Sequence, residues 1–453
     1  MKRKIILKIK KQDHLLYIDA NNLYSLAQCS PMPIGKFNWC TKEEKEYLKE
    51  NILNIDLNGD IGFFIECDIE YPSNHEKYSS LPLLPQHEIF GYDDISPYSQ
   101  KCMSELRGKS NAKGYKSEKL VTNLKNKTKY VFHHASAQTA LKAGLKITKL
   151  HRVIKFEQAR ILKPFIDFCT EKRLSATAPF FRMLFKLMMN SVYGKFLQDN
   201  RKHLTIKICT SSKLVDKNLS AVNYKGHRII SENVVCVFLG KLKVKMDRCI
   251  ALAFTILNIS KKHMQDTWYS YIQPNFGINN VSIVLSDTDS FLLHFTNISR
   301  NEIFDNLKEC LDTSNYPSDH PLYHTNFKGK PGYFKDENAG HIMTEVIGLK
   351  SKCYVTKVIN RYSKSSNENI ICKGVGKAAK TNLTLTKYRE CVQNIKAIRT
   401  NMFTIRSTNH KIFTQQLNKI ALTTFDDKRW LLNCGLHSIP HHSNISTVCS
   451  ICN

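Results

Sequence analysis

Three short stretches carry side chains that could do chemistry together. They are Tyr17-Ile-Asp19-Ala-Asn-Asn-Leu-Tyr24, Lys186-Leu-Met-Met-Asn190-Ser-Val-Tyr193-Gly-Lys195 and Ser286-Asp287-Thr288-Asp289-Ser290. The first and third offer carboxylates from separate elements, as needed to hold two Mg²⁺ ions roughly 3.5–4 Å apart. The second offers cations and an amide on one helix, which suits a polyphosphate. Metal-binding carboxylates and triphosphate-binding cations are together the equipment of nucleotidyl transfer.

The elements that position these groups can be read from local pattern. Asp19 closes the β-rich run Leu15 to Ile18 and precedes the turn-forming pair Asn21-Asn22. A carboxylate there can aim at a ligand without being buried in a ladder. Asp287 to Ser290 lies between the apolar runs Val281–Leu285 and Phe291–Phe295, which predicts a hairpin with an acidic tip. Alternate residues at such a tip point to opposite faces, so the two aspartates need not be equivalent. Either aspartate alone would be an ordinary turn residue. At 100° per residue, Arg182, Lys186, Asn190 and Tyr193 share one sector of a helix over about 179–194. Phe181, Phe185, Met188 and Val192 fall opposite, as a predicted core stripe. Gly194 would end the helix or let a base pair approach closely. The bland alternative is a solvated basic face. An Asn and a Tyr in line with the cations favour a phosphate-binding face.

Composition agrees. At 453 residues, several subdomains are expected. The 67 Lys and Arg exceed the 39 Asp and Glu, a formal +28 that favours a polyanionic partner. Hydrophobic residues at 42% suffice for packed cores and argue against global disorder. Fifteen cysteines without a framework fit reduced thiols in an intracellular, reducing compartment. No run approaches the roughly 18–20 apolar residues of a membrane span, so no membrane partner is expected. The basic start, Met1 to Lys10, has too short an apolar stretch for a secretory signal and reads as a strand.

Along the chain, Thr41 is a predicted N-cap, and Gly62–Glu70 a strand with Glu66, Asp68 and Glu70 on one face. Residues 71–129 read as loop-dominated, Ser136–Gly144 as a short helix, 200–240 as a strand-rich excursion and 246–264 as a helix. Strands are expected around 344–375, and Thr386 is the expected cap of a helix over 387–397. On the predicted strand at Lys350-Ser-Lys352-Cys-Tyr354, the residues Lys350, Lys352 and Tyr354 alternate onto one face, either gripping a primer backbone or forming a basic solvent edge. Lys373-Gly-Val-Gly-Lys377 lacks a Walker spacing and reads as a backbone-contact loop. Cys434, His437, His441, Cys449 and Cys452 are zinc-ligand types, but nothing fixes their partners.

With Lys352-Cys-Tyr354, the three stretches resemble motifs A, B, C and Lys-x-Tyr of the protein-primed family B DNA polymerases. These occur in bacteriophages, linear organellar plasmids, and Polinton (Maverick) transposons with their viral relatives. Leu150-His-Arg-Val-Ile-Lys-Phe-Glu157, Lys163-Pro-Phe-Ile-Asp167, Asp426-Asp-Lys-Arg429 and Cys434-Gly-Leu-His-Ser438 are similar to the transposon group. The resemblance implies an α+β right-hand fold. Palm would occupy 1–84, with motif A, and 241–377, with motif C. An insertion would span 85–150, fingers 151–199, a second insertion 200–240, thumb 378–435 and a tail 436–453.

It further implies that Asp19 and Asp289 hold the metals, with the Ala20 carbonyl assisting and Asp287 supporting. Tyr24 would stack under the deoxyribose and exclude a 2′-hydroxyl, which disfavours RNA synthesis. Arg182 and Lys186 would bind the triphosphate, Asn190 and Tyr193 would line the nascent pair, and Gly194, Lys352 and Tyr354 would meet the DNA. The implied cofactors are two Mg²⁺ ions, with Mn²⁺ able to substitute, and the substrates are dNTPs. The implied partners of a monomer are primer–template DNA and a terminal-protein primer. A nuclear location is expected for a transposon-derived copy, mitochondrial or virus-associated otherwise. Asn22 and Ser25 replace the family's usual Ser and Pro, and Ser25 is expected to loosen the turn that sets Tyr24. Only 18 residues precede Asp19, too few for the family's N-terminal exonuclease domain, so either a truncated copy or one fragment of a larger open reading frame is expected. The alternative is an inactive relic that binds nucleic acid.

Overall fold

The computed structural model describes residues 3–4, 6–8, 13–408 and 411–446. It divides into two compact units. The first comprises 1–161, 258–402 and 418–453, and the second 162–257 and 403–417.

In the first unit, the apolar runs around the acidic motifs assemble into one nine-stranded sheet. Its strands are β1 (Ile6–Lys8), β2 (Asp13–Ala20), β3 (Val281–Ser286), β4 (Ser290–Thr296), β5 (Leu311–Asp312), β6 (Phe334–Asp336), β7 (Ile342–Lys350), β8 (Cys353–Ile359) and β9 (Ser366–Cys372). The main path runs β3-β4-β2-β7-β8-β9; β6 pairs with β2 and β5, and β1 pairs with β7. Strand periodicity splits β2 between two cores. Leu16, Ile18 and Ala20 join Phe291, Leu293 and Phe334 on one face. Leu15 joins Leu292, Met343, Val346 and Tyr354 on the other, with Tyr17 packed against them. Both faces are covered, which explains why β3 and β4 read as continuous apolar runs. Fully burying residues such as Ile18 and Phe291 contributes about 1.5–3 kcal/mol each. Asp19 shares the face of Leu15 and Tyr17.

Beyond β2 the chain turns at Asn21-Asn22 into α1 (Leu23–Gln28). A second sheet orders Met32–Trp39, Lys146–Ala159, Ile61–Glu70 and Lys127–His133. Thr41 caps the helix Lys42–Asn51 through a reciprocal bond pair with Glu44, as its sequence predicts. Residues 71–129 are not loop-dominated. They contain the paired strands Gln86–Gly91 and Lys116–Val121 and the helices Pro97–Arg107 and Lys109–Ala112. Polar residues such as Ser99, which is buried within the helix, interrupt the apolar period of these short elements. Ser96 as N-cap before Pro97 was the readable signal. Near the C-terminal end of this unit, Thr384 rather than Thr386 caps the helix, which runs Leu385–Asn394. The Thr384 hydroxyl accepts the Lys387 N–H at 3.3 Å.

The second unit holds α2 (Lys163–Ser175), α3 (Pro179–Phe196), and a three-stranded sheet of Leu204–Cys209, Val234–Gly240 and Tyr224–Ser231 in that order. α3 packs on α2 through Met189, whose sulfur accepts the Thr170 hydroxyl at 3.6 Å. The core stripe expected along α3 is largely open. Met189 is its buried residue, Phe185, Met188 and Val192 are half-buried, and Phe181 is exposed. One neighbouring helix covers only a narrow strip, so part of the apolar side stays uncovered. Among the described residues, no helix is long and apolar enough to cross a membrane.

Candidate active site

The two acidic stretches meet at one end of the nine-stranded sheet. β4 runs antiparallel to β2 and sets Ser290 opposite Asp19. One residue on, the Ala20 N–H donates to the Asp289 carbonyl at 2.7 Å. The hairpin tip is tight: Thr288 has φ 67°, and the Asp289 N–H donates to the Asp287 carbonyl at 2.8 Å. A β-branched residue in the left-handed region costs of order 1–3 kcal/mol, and the two buried strands flanking it hold it there.

Lys352 reaches this tip. Its ammonium lies 2.6 and 2.8 Å from the two Asp287 carboxylate oxygens. The predicted alternation of Lys350, Lys352 and Tyr354 along one strand is broken. Lys350 ends β7, Lys352 sits in the β7–β8 turn with φ 57°, and Tyr354 lies on β8. The turn frees the Lys352 side chain to swing towards Asp287. The Tyr354 hydroxyl is bonded to that of Tyr17 at 2.9 Å, with the rings edge to face. Burial, then the bond to Tyr17, pushes the Tyr354 phenol well above its ordinary range. Behind Lys352, its carbonyl accepts the Lys373 N–H at 3.0 Å, placing the Lys373–Lys377 loop against the same turn. A cleft of about 720 Å³ opens beside it, bordered by Lys119, Lys350, Lys352, Lys373 and Lys428 with Asp427 among them.

The turn after Asp19 is fastened from a direction the sequence does not advertise. Asn21 donates its N–H to the Tyr333 carbonyl at 2.8 Å and accepts the Gly332 N–H at 2.8 Å. Its side-chain amide donates to Asp312 at 2.7 Å. Asp312, 1% exposed, also accepts the N–H groups of Gly329 at 2.8 Å and Ser314 at 3.0 Å. Burial opposes its ionised form, but these hydrogen bonds prevail and hold the carboxyl below the usual range. Ser25, where the family usually has proline, is buried on α1. Burial first, then the charge of Asp289, raises the Tyr24 phenol. Tyr24 thus lies within the electrostatic reach of the hairpin tip.

Asp19, Asp289 and the Ala20 carbonyl bring oxygens to this end of the sheet, the hard donor type that Mg²⁺ prefers. Among the described residues, no group of three or more His, Cys, Asp or Glu is arranged to hold a metal. A small octahedral ion does not need such a cage, because substrate phosphates and water complete its shell. Of the candidate zinc ligands, Cys449 and Cys452 lie outside the described residues. Cys434 sulfur sits 3.4 Å from His437 Nδ1, whereas the His441 ring faces the Asp427 carbonyl at 3.1 Å. Burial lowers the His441 pKa to about 4. Two carboxylates of Ile61–Glu70 are engaged within their own sheet. Glu66 takes two bonds from Arg152, at 2.6 and 3.0 Å, and Asp68 pairs with His151 at 2.7 Å.

On α3 of the second unit, Lys186 and Asn190 are exposed and Tyr193 is half-buried. Arg182 donates to the Ala176 carbonyl at 2.8 Å, which ties its guanidinium to the residues before the helix. Gly194 does not end the helix, which continues to Phe196, and a Cβ there would meet nothing within 4 Å.

A search of curated proteins finds no match to the sequence. Among solved structures, the chain is similar to Phi29 DNA polymerase in a ternary complex with primer–template DNA and incoming nucleotide substrates. The identity is 14% and the TM-score 0.51, over 93% of this chain and 61% of that one. An orthorhombic crystal form of Phi29 DNA polymerase gives a TM-score of 0.53 at 14% identity, over 93% and 59%. The chain therefore spans about 61% of the length of the first of these and shares its fold, a family B polymerase hand. The family described as DNA polymerase type B, organellar and viral, matches residues 3–283, more than half of the sequence. With its acidic strand ends joined on one sheet, this chain belongs to the type B DNA polymerases of organelles and viruses.

Proposed function

We propose that this chain performs template-directed DNA synthesis, adding dNTPs to a primer 3′-hydroxyl during protein-primed replication of a transposon, viral or linear-plasmid genome. The observation that carries this reading is the junction of β2 with the hairpin tip. The 2.7 Å bond from Ala20 to Asp289 brings two acidic motifs, 270 positions apart, to one sheet end. Asp19 and Asp289 would hold the metal ions with the Ala20 carbonyl. Bound Mg²⁺ supplies charge stabilisation on the attacking and leaving oxygens. Asp287 holds Lys352 at the primer strand, with Tyr354 behind it, and the lysines of the neighbouring cleft follow the DNA backbone. Tyr24 is the steric gate beside the sugar. Arg182 and Lys186 bind the triphosphate, and Asn190, Tyr193 and Gly194 meet the nascent pair.

In this reading 1–84 and 241–377 form the palm, 151–199 the fingers and 378–435 the thumb, with insertions at 85–150 and 200–240 and a tail at 436–453. A terminal protein would supply the priming hydroxyl. The test is extension of a labelled primer with Mg²⁺ and dNTPs by the purified chain. Extension that vanishes in Asp19→Asn is the expected result. Tight primer–template binding without extension would mark the chain as a binding relic instead.

A further inference from the structure

The sheet face that carries Asp19 also carries a cation that no motif accounts for. β6 runs antiparallel to β2, with Phe334 opposite Ala20 and Lys335 opposite Asp19. Directly opposed residues of such strands project to the same face, their Cβ atoms about 4.5–5.5 Å apart. Ala20 and Phe334 are buried in the core below. Lys335 therefore stands beside Asp19 on the other face, where both are half-buried. Tyr333, just before this strand, is half-buried. The Lys330 ammonium lies 4.9 Å from the centre of the Tyr333 ring, and Phe327 stacks on the same ring at 4.3 Å.

This loop is held to the motif A turn by main-chain bonds. Gly332 and Tyr333 both bond the Asn21 backbone, and Gly329 bonds Asp312. His263 Nε2 lies 2.8 Å from the Gly332 carbonyl, within bonding distance of it. Gly332, at φ 87°, packs so closely that an added Cβ would lie 2.7 Å from the Leu26 side chain. Lys330 and Lys335 are thus carried on backbone fixed relative to Asp19.

An ammonium beside a carboxylate that takes up a divalent cation, with a second on the adjoining loop, would oppose that cation if it were the whole ligand. Such an ammonium can pair with the empty carboxylate, and it becomes compatible with the bound cation when a multiply charged anion arrives with it. We propose that Lys335 and Lys330 form a palm-borne polyphosphate site that binds the β- and γ-phosphates of the incoming nucleotide and the departing pyrophosphate. This rests on the polymerase reading above and adds to it a site outside the recognised motifs.

The test uses the purified full chain with Lys335→Ala, Lys330→Ala and Lys335→Arg. Three quantities are measured: the dNTP dependence of primer extension, inhibition by added pyrophosphate, and primer–template affinity without dNTP over a salt series. Lys335→Ala should raise the KM for dNTP about tenfold and weaken pyrophosphate inhibition by a similar factor, since one charge-assisted phosphate contact is lost. Lys330→Ala, an exposed position that folding tolerates, should do the same to a smaller degree, and Lys335→Arg should recover most of the loss. Primer–template affinity should not change. Unchanged KM and pyrophosphate inhibition in both alanine variants would overturn the site. So would weaker DNA binding with a shallower salt slope and an unchanged KM, which would assign the lysines to a DNA strand. If the wild type extends no primer, the polymerase reading fails separately. Calorimetric titration of inorganic triphosphate with Mg²⁺ into wild type and Lys335→Ala then decides the site, and equal affinities overturn it.

Discussion

The carboxylates and the helical cations of this protein are held in opposite ways. Asp19 stands on a strand with neighbours on both edges, β4 along its length and β6 at its end. The turn beyond it is fixed by Tyr333, Gly332 and Asp312. Lys186 and Asn190 stand on an exposed helix of the other unit, where even apolar positions stay open: Phe180 is 61% exposed and Leu187 56%. The contrast matches what each proposed ligand would demand. A small octahedral metal tolerates little error in donor position, so its carboxylates must be fixed by the sheet. An ammonium on a four-carbon stem finds a phosphate over a wide range of geometries. A buried frame serves the first task, and a flexible charge on an open helix suffices for the second.

The sharpest way to break this comparison is at the sheet. Asp19→Asn or Asp289→Asn removes a charge proposed to bind metal, without changing side-chain size. Several kcal/mol of transition-state stabilisation are at stake, so extension should fall by about a thousandfold or more. Primer–template affinity in gel-shift assays should stay within about twofold, because neither group faces the backbone charge that dominates DNA binding. Wild-type extension rates in either variant would remove the metal assignment.

On the helix side the effect should be smaller and purely kinetic. Lys186→Ala should raise the KM for dNTP, or lower kcat, by roughly 10–100-fold, the worth of one charged hydrogen bond. As an exposed side chain, Lys186 should change stability by no more than about 0.5 kcal/mol. A lower melting temperature with unaltered kinetics would return α3 to a solvated basic face. Tyr24 tests the border between the two regimes, because it lies on α1 yet feels Asp289. Tyr24→Val should improve ribonucleotide use about 10–100-fold, relieving a steric clash of about 1–3 kcal/mol. Identical discrimination in steady-state incorporation assays would defeat the gate.

What the sequence made legible follows the same division. Asp19 and the Asp287–Asp289 hairpin were readable because strand periodicity and turn residues frame them locally. The helical sector of Lys186 was readable from its angle alone. Asp312 and Lys335 were not, since β5 and β6 span two and three residues, too short for any period to show. Lys352 reads as a strand residue because Ser351, the turn-former in Ser351-Lys352, signals a turn more weakly than Gly, Pro, Asn or Asp. The uncovered side of α3 was misread for another reason: amphipathicity says which face is apolar, not how much of it a neighbour covers.

Asp312 offers the finest test, because it fixes the turn without belonging to any motif. Its carboxyl is depressed in the folded chain, so its contribution is present above the unfolded value of about 3.9 and is lost as pH falls below it. Asp312→Asn keeps the shape but sets an amide N–H₂ group or a weaker acceptor against the donors of Asn21, Gly329 and Ser314. At neutral pH this should cost about 1–3 kcal/mol in thermal or urea unfolding. The gap between wild type and variant should close as pH drops through about 4 and below, because protonation weakens the same bonds in the wild type. A gap independent of pH would mean that Asp312 acts through packing alone. A closed gap in acid, together with relaxed ribonucleotide discrimination at neutral pH, would show that this buried carboxylate sets the turn carrying Tyr24, and that the sheet's rigidity extends past Asp19 into substrate selection.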